Sequence, residues 1–211
     1  MTDAEVRRPV RAWLWAGALL AASAAVPIAL RAAAPGGYGL VGLIATSALF
    51  AASLVVFAFG LGGEGSVVGR RPGGVVALLV LAFVPPIVEL ALPQSVSPEQ
   101  IAQLQVVWYI QIAVSAAAAL GAVVAVGRAG VVPHPWRWAP AWGLLAIAVT
   151  QALPQVVGVA MQGRSVDEFM WLFTLGSLMI LMVPLALGVI AMVLGARGLA
   201  RPNPQIYPPA A

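Results

Sequence analysis

The sequence has no cysteine, no lysine and a single histidine. Without cysteine the chain cannot form a disulfide, a thiolate metal site or an iron–sulfur cluster, and it has no thiol nucleophile. His134 lies in a proline-rich stretch, so neither a histidine metal cluster nor a Ser-His-Asp triad can be assembled around it. We therefore expect no catalytic residues, no bound metal, no cofactor and no enzymatic activity.

Charged residues are also scarce. They make up 9% of the 211 residues, whereas hydrophobic residues make up 62%. Soluble domains carry about 25% charged residues, so this composition excludes a soluble fold. The net charge of +4 comes from arginines that are scattered between apolar runs rather than gathered in a patch. Nucleic acid is therefore not expected as a partner.

The chain consists mainly of six long apolar runs. They occupy residues 12–30, 39–61, 74–92, 101–126, 139–161 and 169–194. Runs of this length cross the hydrocarbon as helices, at about 1.5 Å per residue, and are too long for the strands of an outer-membrane barrel. We predict an all-α integral membrane protein, in which six transmembrane helices form a single domain over residues 1–211.

Arginine is unevenly distributed between the two ends of these runs. If the amino terminus is cytoplasmic, nine arginines lie on the cytoplasmic side and only Arg31 and Arg164 lie outside. Arginines near membrane helices are retained in the cytoplasm, so both termini are predicted to be cytoplasmic. The alanine- and arginine-rich, lysine-free composition is typical of a GC-rich bacterial genome, which indicates the bacterial inner membrane.

Tryptophans are concentrated at the predicted cytoplasmic helix ends. They are Trp13, Trp15, Trp136, Trp138 and Trp142. Indole is stable between the headgroups and the hydrocarbon, which predicts that these side chains anchor the helices at the membrane interface. Alternatively, the proline-rich stretch 133–138 could dock a cytoplasmic partner, because a rigid loop loses little entropy on binding.

The helix starts and the chain ends carry weaker signals. Residues 97–100 and 165–168 have the pattern of capping boxes, which predicts that helices four and six begin there. Residues 1–24 also fit a cleavable signal peptide, although an uncleaved first helix is the simpler interpretation. The proline-rich tail, residues 201–211, is predicted to be disordered.

Glu89 is the one ionisable residue inside an apolar run. It lies about one turn from the outer end of helix three, at a depth similar to that of Arg31 in helix one. One interpretation is a structural ion pair between the two residues. The other is a carboxylate that titrates, or binds a cationic group, in an outward-facing vestibule.

Glutamines form a second polar pattern. At 100° per residue, Gln151, Gln155, Gly158 and Gln162 fall on one face of helix five. Gln100, Gln103, Gln111 and Ser115 likewise share a face of helix four. Such faces are predicted to point inward, and the two helices are predicted to meet at Gln111 and Gln151. The amides could join the helices or line a polar cavity.

Glycine and small residues contribute two further predictions. The glycine-rich segment 62–71 lacks the Gly-Lys-Ser/Thr ending of a phosphate-binding loop, so it is interpreted as a flexible connection that does not bind ATP. Gly17, Ala21 and Ala25 recur at four-residue spacing. This spacing permits close helix packing or oligomerisation.

Two functions fit these features. The first is solute handling, as a carrier or as a membrane-embedded substrate-binding subunit of a transporter. Its substrate-binding residues would be Glu89, Arg31, Gln103, Gln111, Gln151 and Gln155. The second is a structural or assembly subunit. The expected partners are the lipid bilayer, other membrane subunits and further copies of the chain.

The first function is also suggested by a likeness in size and topology. Six spans in a short chain with both ends inside resemble the S components of energy-coupling-factor vitamin transporters. This resemblance implies a transport partner that binds the alanine-rich first helix. No ligand-binding motif of that family is matched, so the resemblance transfers no residue roles.

Overall fold

A computed structural model describes residues 11–33, 39–61, 65–92, 98–160 and 170–198. The side chains of residues 98–103 and 158–160 lie outside this description. The chain forms α1 (Arg11–Ala33), α2 (Gly39–Phe59), α3 (Pro72–Ala91), α4 (Pro98–Ala129), α5 (Ala139–Ala160) and α6 (Met170–Ala196). A 3₁₀ turn, Trp136–Trp138, precedes α5. Each helix coincides with one predicted run to within a few residues.

All six helices are long and apolar enough to cross a membrane. The shortest, α3, has 20 residues, which corresponds to about 30 Å at 1.5 Å per residue and matches the hydrocarbon thickness. The predicted all-α, six-helix architecture is therefore confirmed, and the chain is a multi-pass membrane protein.

Proline and glycine set several of the helix ends. α3 begins at Pro72, where a missing amide hydrogen costs nothing. α2 ends before Gly60, which adopts a φ of 74° and donates its amide hydrogen to the Val56 carbonyl at 2.8 Å. Only glycine adopts this left-handed conformation without strain. Helix four begins where predicted, at Pro98, whereas Ser97 and residues 165–168 of the two predicted capping boxes lie outside the described residues.

Each helix adjoins its neighbours in the chain, and the first and last helices also pack on each other. α6 lies between α5 and α1, and α2 and α3 follow, so that α4 packs on α3. The most extensive pairing is α1 with α6. α4 and α5 adjoin only slightly, although they are consecutive, so the close packing predicted between helices four and five is not found.

The α1–α6 pairing depends on two glycines. A methyl group on Gly17 would lie 2.5 Å from the Gly188 carbonyl oxygen, and one on Gly188 would lie 2.6 Å from the Gly17 carbonyl oxygen. Ala21 also faces Gly188, because a methyl group on Gly188 would lie 2.8 Å from the Ala21 amide nitrogen. The predicted small-residue spacing thus serves a close backbone crossing within one chain.

The buried core is concentrated at one end of the bundle, which we call the sealed end. Its residues come from the start of α1, the first half of α3, the last turns of α2, α4 and α6, and two connections. They include Ala12, Trp13, Ala58, Val67, Val68, Ala77, Leu78, Ala122, Val126, Val131, Val132, Ala191 and Leu194. Toward the other end, α3 after Ala82 and α4 before Ala122 contain no buried residue among the described side chains.

The connection between α2 and α3 is part of this core. Val68 is completely buried, and the amide of Val67 donates to the Phe57 carbonyl at 2.9 Å. Ser66 Oγ donates to the Ala58 carbonyl at 2.6 Å and accepts the Arg70 amide hydrogen at 3.1 Å. The prediction of a flexible connection is therefore wrong for residues 65–71, whereas residues 62–64 lie outside the described part.

Trp13 is also a core residue rather than an interface anchor. It is 2% exposed, its Nε1 donates to the Gly65 carbonyl at 2.7 Å, and its ring packs edge-on against Phe57. Trp15, Trp136, Trp138 and Trp142 are exposed, as anchors at an interface would be.

Candidate functional site

Two of the predicted polar residues of α4, Gln111 and Ser115, lie on its bundle-facing side. Between residues 105 and 117, only Gln111 and Ser115 are partly buried, and every other side chain is exposed. At 100° per residue, both share the face that carries the buried Ala122 and Val126 nearer the sealed end. Ser115 Oγ is buried and makes no hydrogen bond. Gln103 lies in α4, but its side chain is outside the description.

The glutamines of α5 lie beside the surface that packs against α6. Gly143 and Thr150 face α6: a methyl group on Gly143 would lie 2.6 Å from Val183 Cγ1, and one on Gly176 would lie 3.2 Å from the Thr150 carbonyl oxygen. Gln151 borders this contact, since the same methyl group on Gly176 would lie 3.5 Å from its Nε2. Gln155 follows one turn later, and both glutamines are exposed.

The amides are not used to join helices. Within the described part of the chain, Gln111, Gln151 and Gln155 make no hydrogen bond, whereas Gln105 Nε2 donates to Tyr109 Oη at 3.2 Å on the exposed side of α4. The hydrogen bond that does connect two helices runs from Ser53 Oγ of α2 to the Ala16 carbonyl of α1, at 2.9 Å. It lies away from the glutamine faces.

Glu89 and Arg31 are not brought together. Glu89 is exposed near the end of α3, whose neighbours are α2 and α4. Arg31 lies in the last turn of α1, and α2 separates α1 from α3. No ion pair joins the two side chains in the described residues. Glu89 instead lies at the end of α3 that is opposite the sealed end, and α3 packs on α4, the helix that carries Gln111.

Four of the arginines that are predicted to be cytoplasmic lie around the end of α4 at the sealed end. Arg70 and Arg71 end the α2–α3 connection, Arg128 lies in the last turn of α4, and Arg137 lies in the 3₁₀ turn. The spacing of the apolar runs predicts that these arginines share one side of the membrane. Their position around the end of α4 depends on the packing of two connections against it, which the spacing does not indicate.

Metal and family comparisons add no further identification. No group of three or more histidine, cysteine or acidic side chains that could hold a metal ion occurs among the described residues.

Comparisons with protein-family models, with curated proteins and with solved structures find no match to this chain. The class of the protein, a multi-pass membrane protein, is therefore supported by the length and composition of its six apolar helices.

Proposed function

We propose that the chain is a bacterial inner-membrane protein that takes a small neutral or cationic solute into a polar opening between α4 and α5. In this proposal it is a carrier or a transport subunit, it performs no enzymatic chemistry, and both termini and the sealed end are cytoplasmic. Nine of the eleven arginines then lie inside, as the positive-inside rule requires.

The shape of the bundle supports an opening on one side. The sealed end is filled by Val68, Val131 and Val132 from the two connections. α4 and α5 adjoin only slightly, because each packs mainly on its other neighbour. Slight contact between these two helices, together with the lack of buried residues in the other half of α3 and α4 among the described side chains, supports access from the second side, which is the outer side in the proposed orientation.

The unpaired amides carry the proposal. Gln151 lies 12 residues after Ala139, the first residue of α5, which places it about 18 Å along a helix axis that crosses some 30 Å of hydrocarbon. A polar group at this depth must be paired or hydrated, because an unsatisfied group in hydrocarbon costs several kcal/mol. Gln111, Gln151 and Gln155 therefore supply donors and acceptors for water or a solute.

Charge at the mouth would favour cations over anions. Glu89 is the one acidic side chain in the described part of the chain, and it is exposed near the end of α3 that is opposite the sealed end. A carboxylate at an outer entrance raises the local concentration of positively charged solutes. In the proposal, Gln103 of α4 remains among the residues that bind the solute.

An assembly role is the second candidate, and the outer half of α4 favours it. Between residues 105 and 117 this helix is exposed on nearly every side, with Trp108, Tyr109 and Ile112 all more than half exposed. A helix so poorly covered by its own chain has room for a helix of another subunit. In that case the glutamines would form hydrogen bonds to the partner.

The two functions differ in whether the amides are wet, and the absence of cysteine makes this directly measurable. We would introduce Gln111→Cys and Gln151→Cys singly and expose intact cells to a membrane-impermeant maleimide. Matched controls are Ala113→Cys and Val149→Cys, which are exposed on the opposite faces of the same helices. Solute handling predicts labelling at the two glutamine positions and none at the controls, because a thiol facing lipid stays protonated and unreactive.

Labelling alone does not identify a solute, so native mass spectrometry of the purified protein is the second measurement. A small molecule bound in stoichiometric amount, and lost in Gln111→Leu while the fold is retained, would support solute binding. Unreactive thiols at both positions, together with a copurifying protein chain and no small molecule, would reject it in favour of assembly.

A further inference from the structure

Four arginines lie around the end of α4, where the α2–α3 connection touches one flank of this helix. A methyl group on Gly69 would lie 3.7 Å from Ala129 Cβ, so Arg70 and Arg128 flank adjoining stretches of backbone. Gly74, three residues after Arg71, also contacts α4, because a methyl group on it would lie 2.8 Å from Ala125 Cβ. Arg70, Arg71 and Arg128 are exposed.

Arg137 lies on the opposite flank of the same helix end, because Gly127, which Trp138 contacts, is about 160° around α4 from Ala129. The Trp138 ring contacts α4, because a methyl group on Gly127 would lie 3.8 Å from the ring atoms. The Arg137 guanidinium lies 5.6 Å from the centre of that ring. This is a cation–π distance. Arg137 Nε is buried and makes no hydrogen bond. We call Arg70, Arg71, Arg128 and Arg137 the arginine corner.

No carboxylate among the described side chains neutralises this corner. Glu89 is 18 residues after Arg71 on α3, about 27 Å away along the helix axis. Glu64, in the same connection as Arg70, lies outside the described residues. Four guanidinium groups around one helix end make the local potential positive, so an anion that pairs with them would stabilise the fold.

We propose that the arginine corner binds the phosphate headgroup of an anionic phospholipid from the adjacent leaflet. Guanidinium groups bind phosphate oxygens in a bidentate manner, and basic sites between cytoplasmic helix ends are typical places for such headgroups. The depth also fits, because the exposed Trp136, Trp138 and Trp142 surround the corner, and indole marks the headgroup level. The exposed side chains of Leu120, Val124 and Leu145 above it offer an apolar surface to the acyl chains.

This proposal requires a membrane-embedded chain but not a solute-binding one. The test measures how tightly the purified protein binds phosphatidylglycerol in neutral detergent. Binding is detected by native mass spectrometry and by the change in the midpoint of thermal unfolding. We expect phosphatidylglycerol to bind and to raise the midpoint, whereas phosphatidylcholine does neither. Each removed charge, in Arg70→Gln, Arg128→Gln or Arg137→Gln, should weaken binding about fivefold.

Matched controls separate this site from general attraction to the basic end. Arg11 and Arg197 lie at the same end of the bundle but on α1 and after α6. Arg11→Gln and Arg197→Gln should leave phosphatidylglycerol binding unchanged. Equal weakening in these controls would overturn the proposal, as would equal binding of phosphatidylcholine. A midpoint shift that inorganic phosphate reproduces at the same concentration would show a free-anion site and reject the lipid.

A measurement on the unaltered chain guards against variants that fold poorly. Raising the ionic strength from about 0.05 M to about 0.5 M screens the attraction between guanidinium and phosphate, because the Debye length falls well below 10 Å. We expect bound phosphatidylglycerol to dissociate under these conditions. Binding that is indifferent to salt would mean that the acyl chains alone hold the lipid, which contradicts a headgroup site.

Discussion

Trp13 illustrates how the surroundings of a single residue decide its role. Tryptophan near the end of a membrane helix is typical of an interface anchor, and Trp15, two residues away, is 59% exposed as expected. Trp13 turns to the opposite side of α1, where the α2–α3 connection passes over it and Gly65 accepts its indole hydrogen. Buried indole groups need such a partner, and this one is supplied by the backbone of a distant segment.

We predict that Trp13→Phe destabilises the protein by about 1–3 kcal/mol, because the Gly65 carbonyl loses its hydrogen bond in a partly buried place. Trp15→Phe is the control, since it removes the same group from an exposed position. The measurement is equilibrium unfolding of the purified protein in detergent. Equal effects of the two substitutions would mean that the hydrogen bond contributes nothing.

At this scale the sequence is only partly informative. The face of α4 that carries Gln111 and Ser115 follows from helical periodicity and is found where periodicity puts it. Partners do not follow, because they depend on which helices become neighbours. Glu89 and Arg31 have matching depth and opposite charge, yet α2 lies between their helices.

The pairing of α1 with α6 is the central feature at the scale of helices. It joins the first and last spans, and its backbones approach closely because Gly17 and Gly188 face each other. In a bilayer there is little hydrophobic force between helices, so close van der Waals packing at small residues has to provide the attraction. The chain is thereby closed around α1, which has α2 on its other side.

We predict that Gly17→Ala lowers stability by about 1–3 kcal/mol, because the new methyl group meets the backbone at Gly188 and cannot be accommodated by a side-chain rotation. Gly73→Ala in α3 is the matched control, since no atom lies within 4 Å of its Cβ position. It should be neutral or slightly stabilising. Helix dissociation in increasing denaturing detergent would report the difference, and similar midpoints for the two variants would contradict the crossing.

Helix bounds were predictable because apolar length and arginine placement fix them directly. The α2–α3 connection was not, since a run of glycines predicts freedom and gives no sign that Ser66 and Val68 will be buried. The pairing of the first helix with the last was equally hidden. An alanine-rich chain offers many small-residue faces, and the sequence does not indicate that the face with Gly17 and Ala21 is the one that packs against Gly188.

For the whole molecule, the described arginines other than Arg31 lie at the same end of the bundle as the core. The connections that carry Arg70 and Arg137 also supply Val68, Val131 and Val132 to the core. An end that is both basic and well packed is the one expected to remain in the cytoplasm. The proposed opening between α4 and α5 depends on this orientation, because reversing it would place the glutamines within reach of the cytoplasm instead.

The orientation can be tested with two single cysteines in the naturally cysteine-free chain. His134, exposed in the α4–α5 connection, lies at the sealed end, and Ala33, exposed at the last residue of α1, lies at the other. We predict that an impermeant maleimide labels Ala33→Cys in intact cells and His134→Cys only after the membrane is permeabilised. Both positions are exposed, so a difference in reactivity reports the side of the membrane rather than burial. The reverse pattern would place the arginine-rich end outside, and both the outward-facing solute site and the cytoplasmic-leaflet position of the arginine corner would then have to be abandoned.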